Sequence, residues 1–344
     1  MIRIAFSDGD PMRNCFLTLM IAGSFVGASR AAEWETLTAD LVKQEKPGYG
    51  GVSGVVVDRG SGDVFIWLSD KGMYRSTDHG QTWKSFGKPA KGRTETPGCV
   101  LTNPIGPLET FVIPLVYGAP IIVSDRGGES WTALSKQTMH VDWVAVDWSD
   151  PGRRFVLTLK HEAGGLLFAS DDGGKTFREI GKNFGPAIIF DNQTAVVART
   201  EAGDKPKSKK TVLVRTTDAC KTFEPVGDFA PKALPVQFEK DAYWLTDAGV
   251  IKSGDQGKTW QRFGTIKGGI SGPIFGKDAQ HLFVLTGAGI VESRDGGATW
   301  AKPLPLPAAM KGASSLAWLA YDSQADIHYV MKMGSDLYRL QRGK

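Results

Sequence analysis

Five side chains in the first half of the chain have types suited to acid–base work: Asp70, Tyr117, His140, His161 and Glu162. Two carboxyl groups can cleave a glycosidic bond, one as acid and one as base. Histidine and tyrosine can pass protons in a site that abstracts them. Asp70 with His161 or Glu162 are therefore the catalytic candidates. Tyr117, His140, Asp142, Arg93 and Asp247 are candidates for binding. His140, His161 and Glu162 are also metal-ligand types, but they lack the close spacing of a metal motif. No metal and no other cofactor is expected. These residues form no contiguous motif, so the elements that carry them decide whether they meet.

Those elements are announced by a repeat. "STDHGQTW" at Ser76 returns as "SDRGGESW" at Ser124, "SDDGGKTF" at Ser170, "TTDACKTF" at Thr216, "SGDQGKTW" at Ser253 and "SRDGGATW" at Ser293. A motif present six times is structural before it is catalytic. An Asp carboxylate accepts hydrogen bonds from turn amides, Ser or Thr braces it, and Gly allows positive φ. The aromatic residue opens the following strand and packs into the stack. Asp78, Asp172, Asp218, Asp255 and Asp295 take this bracing role. Arg126 stands at the Asp position of the second copy, and Cys220 at the second Gly position of the fourth. A turn brace tolerates such departures between copies, and a catalytic residue does not.

The copies are 37 to 48 residues apart, a period that suits four-stranded propeller blades. In the first repeat, "GVVVD" from Gly54, "VFIWL" from Val64, "GMYRS" from Gly72 and "TWKSF" from Thr82 read as four strands separated by turn residues. After the N-terminal segment, no stretch shows sustained helical periodicity. Beyond Leu306, "SSLAWLAYD", "IHYVMKM" and "DLYRL" give three more strands without a fourth. Trp34 to Leu37 has the form of the outer strands and supplies it. The expected fold is thus all-β, a seven-bladed β-propeller over residues 33–344 whose N-terminal strand completes the last blade. Closure removes the open sheet edges.

The S-x-D-x-G-x-T-W copies resemble the Asp-box, or BNR, β-propeller superfamily. It includes sialidases, xyloglucan-active glycoside hydrolases, sortilin-like receptor domains and photosystem assembly factors. The resemblance covers nearly all the chain after the N-terminal segment and speaks to fold more than function. It implies ligand binding on the face opposite the boxes. Strand alternation puts Asp70-Lys71, Tyr117-Gly118, Lys160 to Glu162, the long loop Arg199 to Lys210 and Asp247 on that face. Lys88, Lys91, Arg93 and Glu95 join them from the link before the second blade. His140 starts a strand and His161 ends its neighbour, so antiparallel pairing brings both to one rim. His79, His281 and His328 fall on the box side or its strands.

"GGVSGVVVD" followed by "LSDKGMYRS" is similar to the first blade of the xyloglucan-active hydrolases and puts Asp70 near their catalytic Asp. Their second carboxylate comes from a second propeller, for which this chain is too short. The Arg-Ile-Pro type motif of sialidases is absent. A lyase would rest on His and Tyr alone. With no complete catalytic signature, the first reading is a binding or assembly module for a protein or glycan. The alternative is a polysaccharide-active enzyme, foremost a glycoside hydrolase.

The 344 residues carry a net charge of only +4, with no basic stripe and interleaved aromatics, so nucleic acid is not an expected partner. The run "DKPKSKK" from Asp204 reads as a solvated loop. Residues 1–32 read as an export signal: Met12-Arg13-Asn14, an apolar run from Cys15 to Val26, then small residues up to Ala32. Translation is expected to start at Met12. A secreted or periplasmic monomer, without stable membrane insertion after cleavage, is the expectation. Cys15 leaves with the signal. Cys99, at an inner strand, and Cys220, at an outer turn, are expected to lie too far apart to bridge.

Overall fold

The computed structural model describes residues 33–342, apart from 88, 90, 97, 99, 104–109, 126, 204, 206 and 315. The expected signal, with Met12 and Cys15, lies outside the described residues, as do Lys88, Cys99 and Arg126.

The strands form seven antiparallel sheets arranged as the blades of a propeller. Blade 1 pairs Gly54–Val57, Val64–Leu68, Gly72–Ser76 and Lys84–Ser85 in order. Alternation along the strand sorts its side chains. Val64, Ile66 and Leu68 enter a cluster shared with blade 7, while Phe65 and Trp67 enter one shared with blade 2. The same holds around the molecule. Further clusters join blades 2 and 3, 3 and 4, 4 and 5, 5 and 6, and 6 and 7. Each seam between neighbouring blades therefore has its own apolar packing, and the ring is closed. A fully buried Trp67 illustrates the strength of a seam, since truncating such a side chain costs about 3–5 kcal/mol.

The closing blade pairs Ala317–Asp322, Ile327–Lys332 and Leu337–Gln341 with the N-terminal strand Glu35–Thr36. Glu35 lies opposite Arg339 and Thr36 opposite Tyr338. The Trp34 indole donates to Pro305 O at 2.8 Å, and Leu37 N donates to Leu337 O at 2.9 Å.

Three expectations change. Blade 6, Gly269–Phe275, Leu282–Thr286 and Gly289–Ser293, has three strands rather than four. A lone bridge, Ile290 to Leu304, stands in for the outer strand. Pro303, Pro305 and Pro307 remove alternate amides there, so no ladder can run. A helix, Ala39–Glu45, follows the N-terminal strand. Seven residues are too few for a visible period, and only Leu41 and Val42 pack on the seam. The expected long loop Arg199 to Lys210 is mostly hairpin: Ala195–Ala202 and Lys209–Thr216 pair out to Ala202 opposite Lys209.

The boxes join the third and outer strands and repeat one hydrogen-bond set. In the first, Ser76 Oγ donates to Asp78 Oδ1 at 2.7 Å and Gly80 N donates to Ser76 Oγ at 2.7 Å. Thr82 N reaches Asp78 Oδ1 at 2.9 Å and Thr82 Oγ1 reaches Oδ2 at 2.6 Å. The sets around Asp172, Asp218, Asp255 and Asp295 match. Burial would raise the Asp78 carboxyl, but the Thr82, Ser76 and Gln81 donors outweigh it and bring it down to about 2. In blade 4, Cys220 fills the glycine position in a left-handed conformation at φ 66° and is buried.

Candidate functional site

Opposite the boxes, blade 3 supplies the core of the site. Its strands Val141–Val146 and Val156–Lys160 are antiparallel, and His161 N donates to His140 O at 2.9 Å just beyond their ends. The two imidazoles stand edge to face, 4.8 Å apart. Tyr117 from blade 2 meets them edge-on, at 5.0 Å from His140 and 6.1 Å from His161. His140 and Glu162 both hold positive φ, 65° and 51°, a conformation costly for residues with a side chain and found mainly where the surroundings impose it.

The hydrogen bonds orient both rings. His140 Nδ1 lies 2.9 Å from Val116 O. A carbonyl only accepts, so Nδ1 carries the proton. His161 Nδ1 lies 2.5 Å from Asp142 Oδ1, and the same logic protonates it there. His161 Nε2 then faces Glu95 Oε2 at 3.5 Å and Glu162 Oε1 at 3.7 Å. Arg93 pairs with Glu95, and its guanidinium lies 4.7 Å from the Tyr117 ring centre and 4.0 Å from that of Tyr49. This is cation–π geometry. The backbone brings Arg93 there, since Arg93 N donates to Tyr117 O at 2.9 Å.

Tyr117, His140, Asp142, His161, Glu162 and Arg93 thus meet. Asp70 and Asp247 do not touch them. Asp70 accepts from Gly48 N at 2.7 Å and lies 3.9 Å from Lys71 Nζ. Asp247, on blade 5, accepts from Ala230 N at 3.2 Å. Glu162 is 78 % exposed at its side chain, so the rim gives it no apolar enclosure. Sequence reasoning noted Glu95 only as a link residue and missed Tyr49. The Gly48 to Gly51 turn carries Tyr49 to Arg93, and nothing in the local pattern marks it.

Asp142 and Glu95 also line a cavity of about 330 Å³ at the mouth of the central channel. Its walls come from several blades: Leu159 at the end of the second strand of blade 3, Pro186, Ile270 and Trp318 in inner strands, and Leu234 just before one. Two buried donors there, Trp143 Nε1 and Ser271 Oγ, have no hydrogen-bond partner. Leaving such groups unpaired costs about 1–3 kcal/mol each. On the box face, Arg59 of blade 1 crosses to blade 6 and donates to Phe275 O at 2.9 Å and to Gly276 O. This guanidinium, whose ionisation burial lowers, spans the channel end opposite the cavity. Sequence gave no hint of it.

These features define the chain as a seven-bladed Asp-box β-propeller of the BNR type. The BNR/Asp-box repeat family matches residues 74–85, the first box with its flanking strands. No curated protein matches the sequence. Among solved structures, YCF48 bound to D1 peptide is 13 % identical, with a TM-score of 0.51, covering 92 % of this chain and 98 % of that one. YCF48 from Cyanidioschyzon merolae is 11 % identical, with a TM-score of 0.50, over 90 % and 99 %. The extracellular domain of the two-component system BT3049 from B. thetaiotaomicron is 11 % identical, with a TM-score of 0.54, over 85 % of this chain and 40 % of that one. At these identities the likeness concerns the fold. Among the described residues, no helix is long and apolar enough to cross a membrane.

Proposed function

We propose that the protein is an exported binding module that takes a peptide segment of a protein partner at the channel mouth. The observation that carries this reading is the cavity itself, which sets apolar walls beside the carboxylates of Glu95 and Asp142, with Trp143 and Ser271 in its lining and their Nε1 and Oγ buried without partners. A ligand that shifts these two side chains would give their donors acceptors, such as peptide carbonyls. Leu159, Pro186, Leu234 and Trp318 supply apolar walls for a side chain. YCF48, of the same fold, has been seen with a D1 peptide, so peptide capture lies within the reach of such a ring.

A second reading, polysaccharide chemistry, has one observation in its favour. Asp142 holds His161 by Nδ1, leaving Nε2 toward Glu95 and Glu162, with the Tyr117 ring 6.1 Å away, an orienter–base arrangement suited to proton transfer. The original pairing of Asp70 with Glu162 has no such support.

Panning the mature protein against a random peptide library, with a polysaccharide cleavage screen alongside, separates the readings. The expected result is a peptide consensus whose affinity falls at least tenfold in a Trp143→Phe, Ser271→Ala double variant of unchanged melting temperature. Equal affinity in that variant would overturn the site. Polysaccharide cleavage lost in Asp142→Asn would replace binding with catalysis.

A further inference from the structure

We propose that His140, His161 and Glu162, with Glu95 as a fourth group, form a binding site for a divalent transition metal, zinc by preference. This goes beyond the peptide reading and does not depend on it. Spacing in the sequence argued against a metal, because twenty residues separate the histidines. Folding removes that objection. One ligand atom from each of His140, His161 and Glu162 lies within 4.8 Å of the others. Ligands about 2.0–2.2 Å from zinc lie somewhat closer together than this, and the exposed Glu162 side chain has room to close the gap.

The tautomers are those that a metal requires. Metal-bound histidines usually donate their other ring N–H to a carbonyl or a carboxylate. His140 does so to Val116 O at 2.9 Å, and His161 to Asp142 Oδ1 at 2.5 Å. Both Nε2 atoms then carry lone pairs. That of His161 points toward two further acceptors, Glu95 Oε2 at 3.5 Å and Glu162 Oε1 at 3.7 Å. A lone pair facing two carboxylates is repulsive unless a cation sits between them. Three carboxylates, Glu95, Asp142 and Glu162, surround the pair, and Arg93 is the single guanidinium paired into the group. A metal bound by both rings answers this arrangement, since one ligand atom of His140, His161 and Glu162 each lies within 4.8 Å of the others. His140 and Glu162 both hold a left-handed backbone, φ 65° and 51°, a conformation found mainly where the surroundings impose it. A His₂ set with carboxylates suits zinc and its neighbours, whereas calcium and magnesium prefer all-oxygen sites.

The test uses tag-free, chelator-treated protein titrated with zinc chloride by calorimetry, with metal content measured by mass spectrometry. One zinc per chain is expected. Glu162→Gln, which alters only an exposed side chain, should weaken binding at least tenfold, as should His161→Gln. Asp142→Asn should weaken it about 10–100-fold by disturbing the ring that Asp142 orients. Asp70→Asn, on the same face but outside the group, should leave it unchanged. Circular dichroism melts establish that each variant is folded. Absence of stoichiometric zinc in the wild-type protein overturns the proposal. Binding that survives both His161→Gln and Glu162→Gln places the metal elsewhere and overturns it equally.

Discussion

On the box face, loops from five blades repeat one hydrogen-bond set around a carboxylate. On the opposite face, no two of the connections described above present the same residues. The box carboxylates are satisfied by their own loops, each by Ser or Thr hydroxyls and by amides four residues on. Unpaired donors occur on both faces, at Trp143 and Ser271 by the channel mouth and at the box residues Trp260 and Trp300, but among the described residues a lone pair faces two carboxylates only on blade 3. Repetition therefore marks what holds the ring. Unrepeated side chains gathered from several blades are where the binding site is proposed.

The most damaging way to probe this contrast is to break closure. Deleting Trp34 to Leu37 removes the outer strand of blade 7, its ion pair with Arg339 and the contact of Leu37 with the first box. The cost should be on the order of 3–5 kcal/mol, comparable to truncating large core side chains. A fall of about 10 °C in the melting temperature is expected. A truncated protein that melts cooperatively at the parental temperature would show that the ring does not need this strand.

A milder probe addresses the boxes one at a time. Asp255→Ala removes the acceptor for Thr259 N, Thr259 Oγ1 and Ser253 Oγ and should cost about 1–3 kcal/mol, since each such bond is worth about 1 kcal/mol net and the exposed ones are in part replaced by water. Peptide affinity should not change, and its loss in a folded variant would assign binding to the wrong face. Acid provides the collective version. Hydrogen bonds bring Asp78, Asp172 and Asp295 down to about 2, against opposing burial in the first two, and lower Asp218 and Asp255 as well. A carboxyl lowered by folding stabilises the fold above its ordinary value, near 4, and loses that contribution as pH falls through the folded value. Thermal stability should be flat from pH 7 to about 5 and decline between about 4 and 2. A decline beginning well above pH 5 would point to other groups.

The same contrast explains what the sequence made legible. Box spacing, strand alternation and Trp34 to Leu37 were readable because each rests on a local pattern. His140 and His161 were placed on one rim because antiparallel pairing is a local rule. Glu95, Tyr49 and the unpaired Trp143 and Ser271 were not readable, because each acquires its meaning from residues on other blades. Asp70 is a further case: its loop is legible locally, but the hydrogen bond that its carboxylate accepts from Gly48 N, in the segment before the blade, is not.

The smallest expected effect lies in the odd box. Its counterparts of Cys220 are Gly80, Gly128, Gly174, Gly257 and Gly297, all at positive φ between 75° and 91°. A Cβ at Gly80 would come within 2.4 Å of Leu37 Cδ1, and at Gly174 within 2.6 Å of Leu134 Cδ1. These glycines are where one blade meets the outer strand before it. Blade 4 has room for a side chain, and Cys220 packs into the seam with blade 3 beside Ile180. Burial pushes its thiol up to about 12, so it stays neutral and acts as a small apolar filler. Cys220→Gly should relieve a left-handed cost of about 1–2 kcal/mol and lose burial of about 1 kcal/mol. The net change should stay within about 1 kcal/mol, a shift of a few degrees at most. Gly80→Ala combines the same backbone cost with overpacking of about 1–3 kcal/mol, so it should destabilise clearly. Equal effects for the two substitutions would mean that the seams do not differ as the geometry indicates. A large loss for Cys220→Gly alone would make the thiol an anchor of its seam rather than a tolerated departure.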